Sequence, residues 1–178
     1  MIYWGALLAA VLLSFERISY FWISHYPDAW RELCRRPALA ALGGPVDVLR
    51  KLFYGFKALQ ILVFLGWCSL FSDGLIPWPT GTLPAFAAGA VLLAAGAALN
   101  LSVFYRLGST GVFYGKQFGY DVPWINGFPF SVLKHPQYIG ALISIWGFFL
   151  IMRFPHDDWF VLPVLETAYY AVGAYYEP

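Results

Sequence analysis

Charge is what this sequence lacks. Only 12% of its 178 residues are charged, where a soluble domain of this size carries about 25%. That scarcity excludes both a disordered segment and an ordinary soluble enzyme. The 11 basic residues are balanced by 10 acidic ones, a net charge of +1, so no nucleic-acid partner is expected. Cysteine is scarce too. Cys34 and Cys68 lie in different kinds of segment without metal-like spacing, which predicts two unpaired thiols and no metal site. Internal repeats and low-complexity linkers are absent, so residues 1–178 are expected to form a single domain. What fills the chain instead is apolar matter: 60% of residues are hydrophobic, 20% are aromatic, and the mean hydropathy is +0.63. This is the composition of a small integral membrane protein.

Five apolar stretches, 2–24, 52–71, 84–105, 138–152 and 159–176, are separated by polar punctuation. A spanning helix needs about 20 residues, which the second and third stretches supply and the fourth falls short of. The first opens on Met1 without a basic region, is interrupted by Glu16-Arg17, and precedes no small-residue cleavage site. It therefore reads as a retained helix and not as a signal peptide. Arg153-Phe-Pro-His-Asp-Asp158 reads as a tight polar turn. The expected fold is thus an all-α integral membrane protein with four to five membrane helices, the last two forming a re-entrant or hairpin pair. Basic residues gather in 26–51 (Arg31, Arg35, Arg36, Arg50, Lys51) and in 106–135 (Arg106, Lys116, Lys134), while 72–83 holds none. The excess of basic residues in cytosolic loops predicts that the first two segments and the C-terminus share one side, with 72–83 opposite.

The segment 106–140 holds six glycines and three prolines and cannot be one regular helix. Irregular backbone near a bilayer survives only where protein or water satisfies it, so this is either a folded connection beside a site or a surface loop. Within it, Gly-Phe-Pro-Phe130 stands four residues before Lys134, and Lys-His-Pro-Gln-Tyr-Ile-Gly140 follows. These elements, with Leu107-Gly108, Gly111 and Gly115 before them, resemble the phospholipid N-methyltransferase family. Isoprenylcysteine carboxyl methyltransferases share more distantly the H-P-x-Y-x-G element. The similarity runs from about residue 6 to the end, and three elements in order are far more specific than any one alone.

That resemblance implies S-adenosylmethionine-dependent methylation of an ethanolamine headgroup, as in phosphatidylcholine synthesis. The substrate would be phosphatidylethanolamine or its methylated forms, within an endoplasmic-reticulum or mitochondrial membrane. The family places the cofactor near a G-x-G in the third span and an acidic pair after the last. The matching positions here are Ala94-Ala95-Gly96 and Tyr176-Glu177, so one glycine and one carboxylate are replaced. The expected cofactor-binding residues are Ala94, Ala95, Gly96, Gly111, Tyr138, Tyr176 and Glu177. The expected catalytic residues are Glu177 and His135. A large side chain at Gly96 is expected to block the cofactor without unfolding the protein.

Plainer roles stand beside these. His135 could instead satisfy a helix start or meet phosphate, and Tyr138 could be an interfacial belt residue. Glu166 shares a helical face with Tyr170, Gly173 and Glu177; Lys57 in the second span is its expected partner, forming a structural pair. Glu16-Arg17 is expected to lie on a tilted helix with its charged heads snorkelling to water. Asn100 reads as an interhelical hydrogen-bonding group. A rival reading, favoured by Tyr176 and by the end at Pro178, is a methyltransferase-derived lipid-binding subunit of a larger membrane complex. A small transporter is disfavoured, because matched broken spans are missing.

Overall fold

The computed structural model describes residues 2–72, 76–123 and 125–176. They form helices α1 (Ile2–His25), α2 (Pro27–Cys34), α3 (Pro37–Ala40), α4 (Pro45–Leu70), α5 (Leu83–Val112), α6 (Pro136–Met152) and α7 (Val161–Tyr176), with a 3₁₀ turn at Gly115–Phe118. No strand occurs among the described residues. Three of these helices, α1, α4 and α5, are long and apolar enough to cross a membrane, and α6 is a shorter apolar helix. The molecule is an all-α integral membrane protein.

Each long helix buries only a narrow stripe. On α1 the buried residues are Ala9, Leu13, Glu16 and Ile23, while Leu7, Leu8, Val11, Phe15 and Ile18 point outward. A helix that is apolar all round suits a lipid environment. Small residues set the tightest contact, between α5 and α6. A Cβ built on Gly89 would stand 2.6 Å from the carbonyl oxygen of Gly147, and one on Gly96 would collide with Gly140 O and Ser144 Oγ. Small side chains allow such close backbone approach. Helix α1 packs on α4 and α7, and α7 packs on α6.

The hairpin of α6 and α7 is present, and the two ends of its turn are tied down inside the protein while Pro155, His156 and Asp157 are exposed. Arg153 Nε donates to Asp158 Oδ2 at 2.9 Å, and Trp67 Nε1 of α4 donates to the same oxygen at 2.8 Å. Both charged residues are buried, so the turn is locked onto α4. Two helix ends also differ from expectation. Helix α4 begins at Pro45, seven residues before the apolar run, because proline suits the first turn and Asp47 Oδ2 accepts the Gly44 N–H at 3.3 Å. Helix α5 runs past 105 to Val112, broken at Gly108, whose φ of 63° favours glycine.

One end of the bundle carries a folded cap. Ile23, Trp30, Cys34, Val46, Val48, Leu49, Phe113 and Phe118 form a buried apolar cluster there, and Trp30 Nε1 donates to Pro45 O at 3.2 Å. The segments 26–51 and 106–135 therefore share that end, where Tyr176 also packs against Phe21. At the other end, Thr80 Oγ1 donates to the carbonyl oxygens of Met152 and Phe154.

Candidate active site

Helices α1, α4, α5, α6 and α7 surround a central cavity of about 340 Å³, lined on the cap side by Val112 at the end of α5 and by Phe113 and Tyr114. Its wall is unexpectedly polar for a span. Glu16 and Arg17 come from α1, Lys57 and Gln60 from α4, Asn100 from α5, Gln137 and Ser144 from α6, and Tyr170 from α7. An ionisable residue inside a membrane segment is costly and usually turns inward toward a partner or a cavity.

The partners form a chain. Lys57 Nζ stands 3.0 Å from Glu16 Oε1 and donates to Gln60 Oε1 at 3.1 Å and Tyr170 Oη at 3.4 Å. Gln60 Nε2 then donates to Glu166 Oε1 at 2.5 Å. The Arg17 guanidinium lies over the Tyr170 ring, 3.7 Å from its centroid, and 5.7 Å from that of Tyr138. Two expectations are corrected here. Glu16 and Arg17 do not snorkel, because the Lys57 ammonium and the Tyr170 ring offer them partners inside the bundle. Lys57 pairs directly with Glu16, and Glu166 joins only through Gln60.

A second, lateral groove of about 410 Å³ lies between α1 and α7 and shares Arg17, Tyr20 and Tyr138 with the central cavity. Its other walls are mostly apolar: Ile18, Phe21, Val172, Gly173 and Tyr176. Of the described residues expected from sequence to bind cofactor or catalyse, Tyr138 and Tyr176 line a cavity, and His135 lines neither. Tyr138 lines both cavities and stacks on His135, ring centroids 5.8 Å apart. Tyr176 lines the lateral groove. Ala94 and Ala95 are exposed, Gly96 is buried against α6, and Gly111 lies beside Leu107 and Val122; none of these four lines either cavity. Glu177 lies outside the described residues.

Asn100 stands one helical turn beyond Gly96, on the same face, so the tight α5–α6 contact carries it to the cavity wall. Gln60, Gln137 and Ser144 drew no attention in the sequence. A polar residue three positions from Lys57 within a span was the available signal for Gln60. Among the described residues no cluster of histidine, cysteine or acidic side chains could hold a metal ion.

Fold and site together define a helical membrane protein with a charged, aromatic-walled chamber between its helices. Residues 84–178 match the family profile described as phospholipid methyltransferase, and the chain belongs to that family. A phosphatidyl-N-methylethanolamine N-methyltransferase of Arabidopsis thaliana is 34% identical over 139 residues, covering 78% of this chain and 75% of its own length. A phosphatidylethanolamine N-methyltransferase of Homo sapiens is 34% identical over 174 residues, covering 95% of this chain and 82% of its own. No solved structure matches the chain.

Proposed function

We propose that the central cavity methylates the amine of an ethanolamine phospholipid, phosphatidylethanolamine or one of its methylated forms, with S-adenosylmethionine as methyl donor. The observation that carries this reading is the polar chamber itself, Glu16, Arg17, Lys57, Gln60, Asn100 and Gln137 among aromatic walls, in a member of a methyltransferase family. Its chemistry suits the donor. Rings of Tyr138, Tyr170, Phe53 and Phe104 favour a cationic centre through cation–π attraction, and the amides of Asn100 and Gln137 offer paired donors and acceptors. When bound, S-adenosylmethionine supplies an electrophilic methyl group.

The chain's own task is to present the amine with its lone pair free. The ammonium form must lose a proton before the new N–C bond forms, and an imidazole or carboxylate in reach can take it. His135, held by its stack on Tyr138, is assigned that role at the cap end, and Glu177, next in sequence to Tyr176, is assigned the second. Holding amine and methyl in line at about 3–3.5 Å supplies most of the remaining acceleration. The cofactor roles read from sequence for Ala94, Ala95, Gly96 and Gly111 become supporting ones. Gly96 lets α5 approach α6 so that Asn100 reaches the wall.

The test is radiolabelled methyl transfer into vesicles of phosphatidylethanolamine and its monomethyl form. Wild type transfers label; Glu177→Gln removes nearly all of it; Tyr176→Glu preserves or raises it. A lipid-binding subunit without catalysis would leave all three equally inactive. An endoplasmic-reticulum or mitochondrial membrane is the proposed location, checked by fractionating the tagged protein.

A further inference from the structure

Three donor atoms at the seam of the two cavities have no hydrogen-bond partner among the described residues, although they are buried: Arg17 Nε, Arg17 Nη2 and Tyr20 Oη. The nearest carboxylate oxygen, Glu16 Oε1, is 3.7 Å from Arg17 Nη2, beyond hydrogen-bond reach. Glu16 is itself engaged by Lys57 at 3.0 Å, so Arg17 keeps only a loose ion pair with Glu16 at 3.7 Å and its stacking on the Tyr170 ring, with no hydrogen bond to either free N–H. Buried donors are expensive to leave unmade, and a guanidinium presents its N–H groups as a fork matched to a planar or tetrahedral oxyanion.

The surroundings say which oxyanion. Arg17 and Tyr20 stand where the central chamber meets the lateral groove. The outer walls of that groove, Ile18, Phe21, Val172 and Tyr176, are exposed on the flank of α1 and α7, which is the lipid-facing surface. A ligand arriving there has acyl chains for the apolar walls and one anionic group for the guanidinium. We propose that Arg17 and Tyr20 bind the phosphodiester of the phospholipid, which reaches the chamber sideways between α1 and α7. This rests on the reading given under Proposed function and names the specificity-determining residues of that site. A phosphodiester held at Arg17 places its ethanolamine nitrogen two carbons away, toward Tyr138, whose ring centroid is 5.7 Å from Arg17 Cζ. A like-sized anion is the donor's own carboxylate, and the experiment separates the two.

The variants are Arg17→Gln, Arg17→Lys and Gly173→Leu. Gly173 lines the groove and a Cβ there meets only the Tyr138 ring, at 3.6 Å and beyond, so leucine is the choice for narrowing the groove. Each purified protein is assayed for the lipid KM, for the affinity of S-adenosylhomocysteine, and for retention of phosphatidylethanolamine against a diacylglycerol with the same acyl chains. Arg17→Gln is expected to raise the lipid KM at least tenfold and erase the preference for the phosphate-bearing lipid, with nucleoside affinity within twofold of wild type. Arg17→Lys recovers part of the loss, and Gly173→Leu raises the lipid KM alone. Loss of nucleoside affinity in Arg17→Gln with lipid retention intact overturns the proposal, since the anion is then the donor's carboxylate. Should Arg17→Gln not fold, an unchanged lipid KM in Gly173→Leu overturns it equally. A wild type that prefers phosphatidylethanolamine but transfers no methyl sinks the catalytic reading and leaves this one standing. A wild type that transfers methyl, with lipid KM unmoved in Arg17→Gln and Gly173→Leu, does the reverse.

Discussion

Lys57 is held by three side chains from three helices: Glu16 of α1, Gln60 of its own α4, and Tyr170 of α7. Removing one member of a buried ion pair leaves an uncompensated charge, at a cost of about 3–5 kcal/mol. Lys57→Met should therefore lower thermal stability sharply, whereas Glu16→Gln combined with Lys57→Met should recover most of it. Melting curves in the same detergent decide between these outcomes; equal stability of the single and double variants would show that the pair is not coupled. The acid at 166 and the base at 57 were visible in the sequence as charges that needed partners. Which partner each takes was not visible, because the face of one helix says nothing about which neighbour it meets. Gln60, neutral and ordinary in composition, turned out to be the link between Glu166 and Lys57.

Among elements, the α5–α6 contact is where backbone meets backbone. Gly89 faces Gly147 and Gly96 faces Gly140 across it. Gly96→Leu therefore drives a side chain into a carbonyl oxygen and Ser144, so the loss of folded protein precedes any selective loss of cofactor, contrary to the expectation from sequence. Overpacking a tight contact costs about 1–3 kcal/mol and sometimes more. Gly66 has open space where its Cβ would point, so Gly66→Leu should leave yield and melting temperature unchanged. Size-exclusion profiles of the two variants test this directly, and comparable behaviour would mean that the crossing is looser than its geometry. The stripe of small residues in 84–98 was plain in the sequence, but it fits helix packing and cofactor approach alike. Only the partner across the contact settles its use. Helix ends were less legible: α4 gains two turns because Pro45 and Asp47 form a good start inside a polar segment.

For the whole molecule, the order of hydrophobic stretches carried most of the fold, including the C-terminal hairpin, and the basic residues of 26–51 and 106–135 pointed to their gathering at one end. The cap was not legible as a structure, since its buried cluster joins residues from four separate segments. Its position nonetheless makes a strong claim about orientation. The cap segments hold Arg31, Arg35, Arg36, Arg50, Lys51, Lys116 and Lys134, and such an excess of basic residues marks the cytosolic side. Ile76 lies at the opposite end and is 66% exposed, while Tyr120 in the cap is 44% exposed. In sealed organelle vesicles with the cytosolic face outward, a membrane-impermeant maleimide should label Tyr120→Cys at once and Ile76→Cys only after permeabilisation. Cys34 and Cys68 are buried and should contribute little background. Labelling of both positions from one side would mean that α5, the long helix between them, does not cross. The cap could then not line the chamber, and Tyr114 would lie apart from the Glu16–Lys57 pair with which it lines that wall.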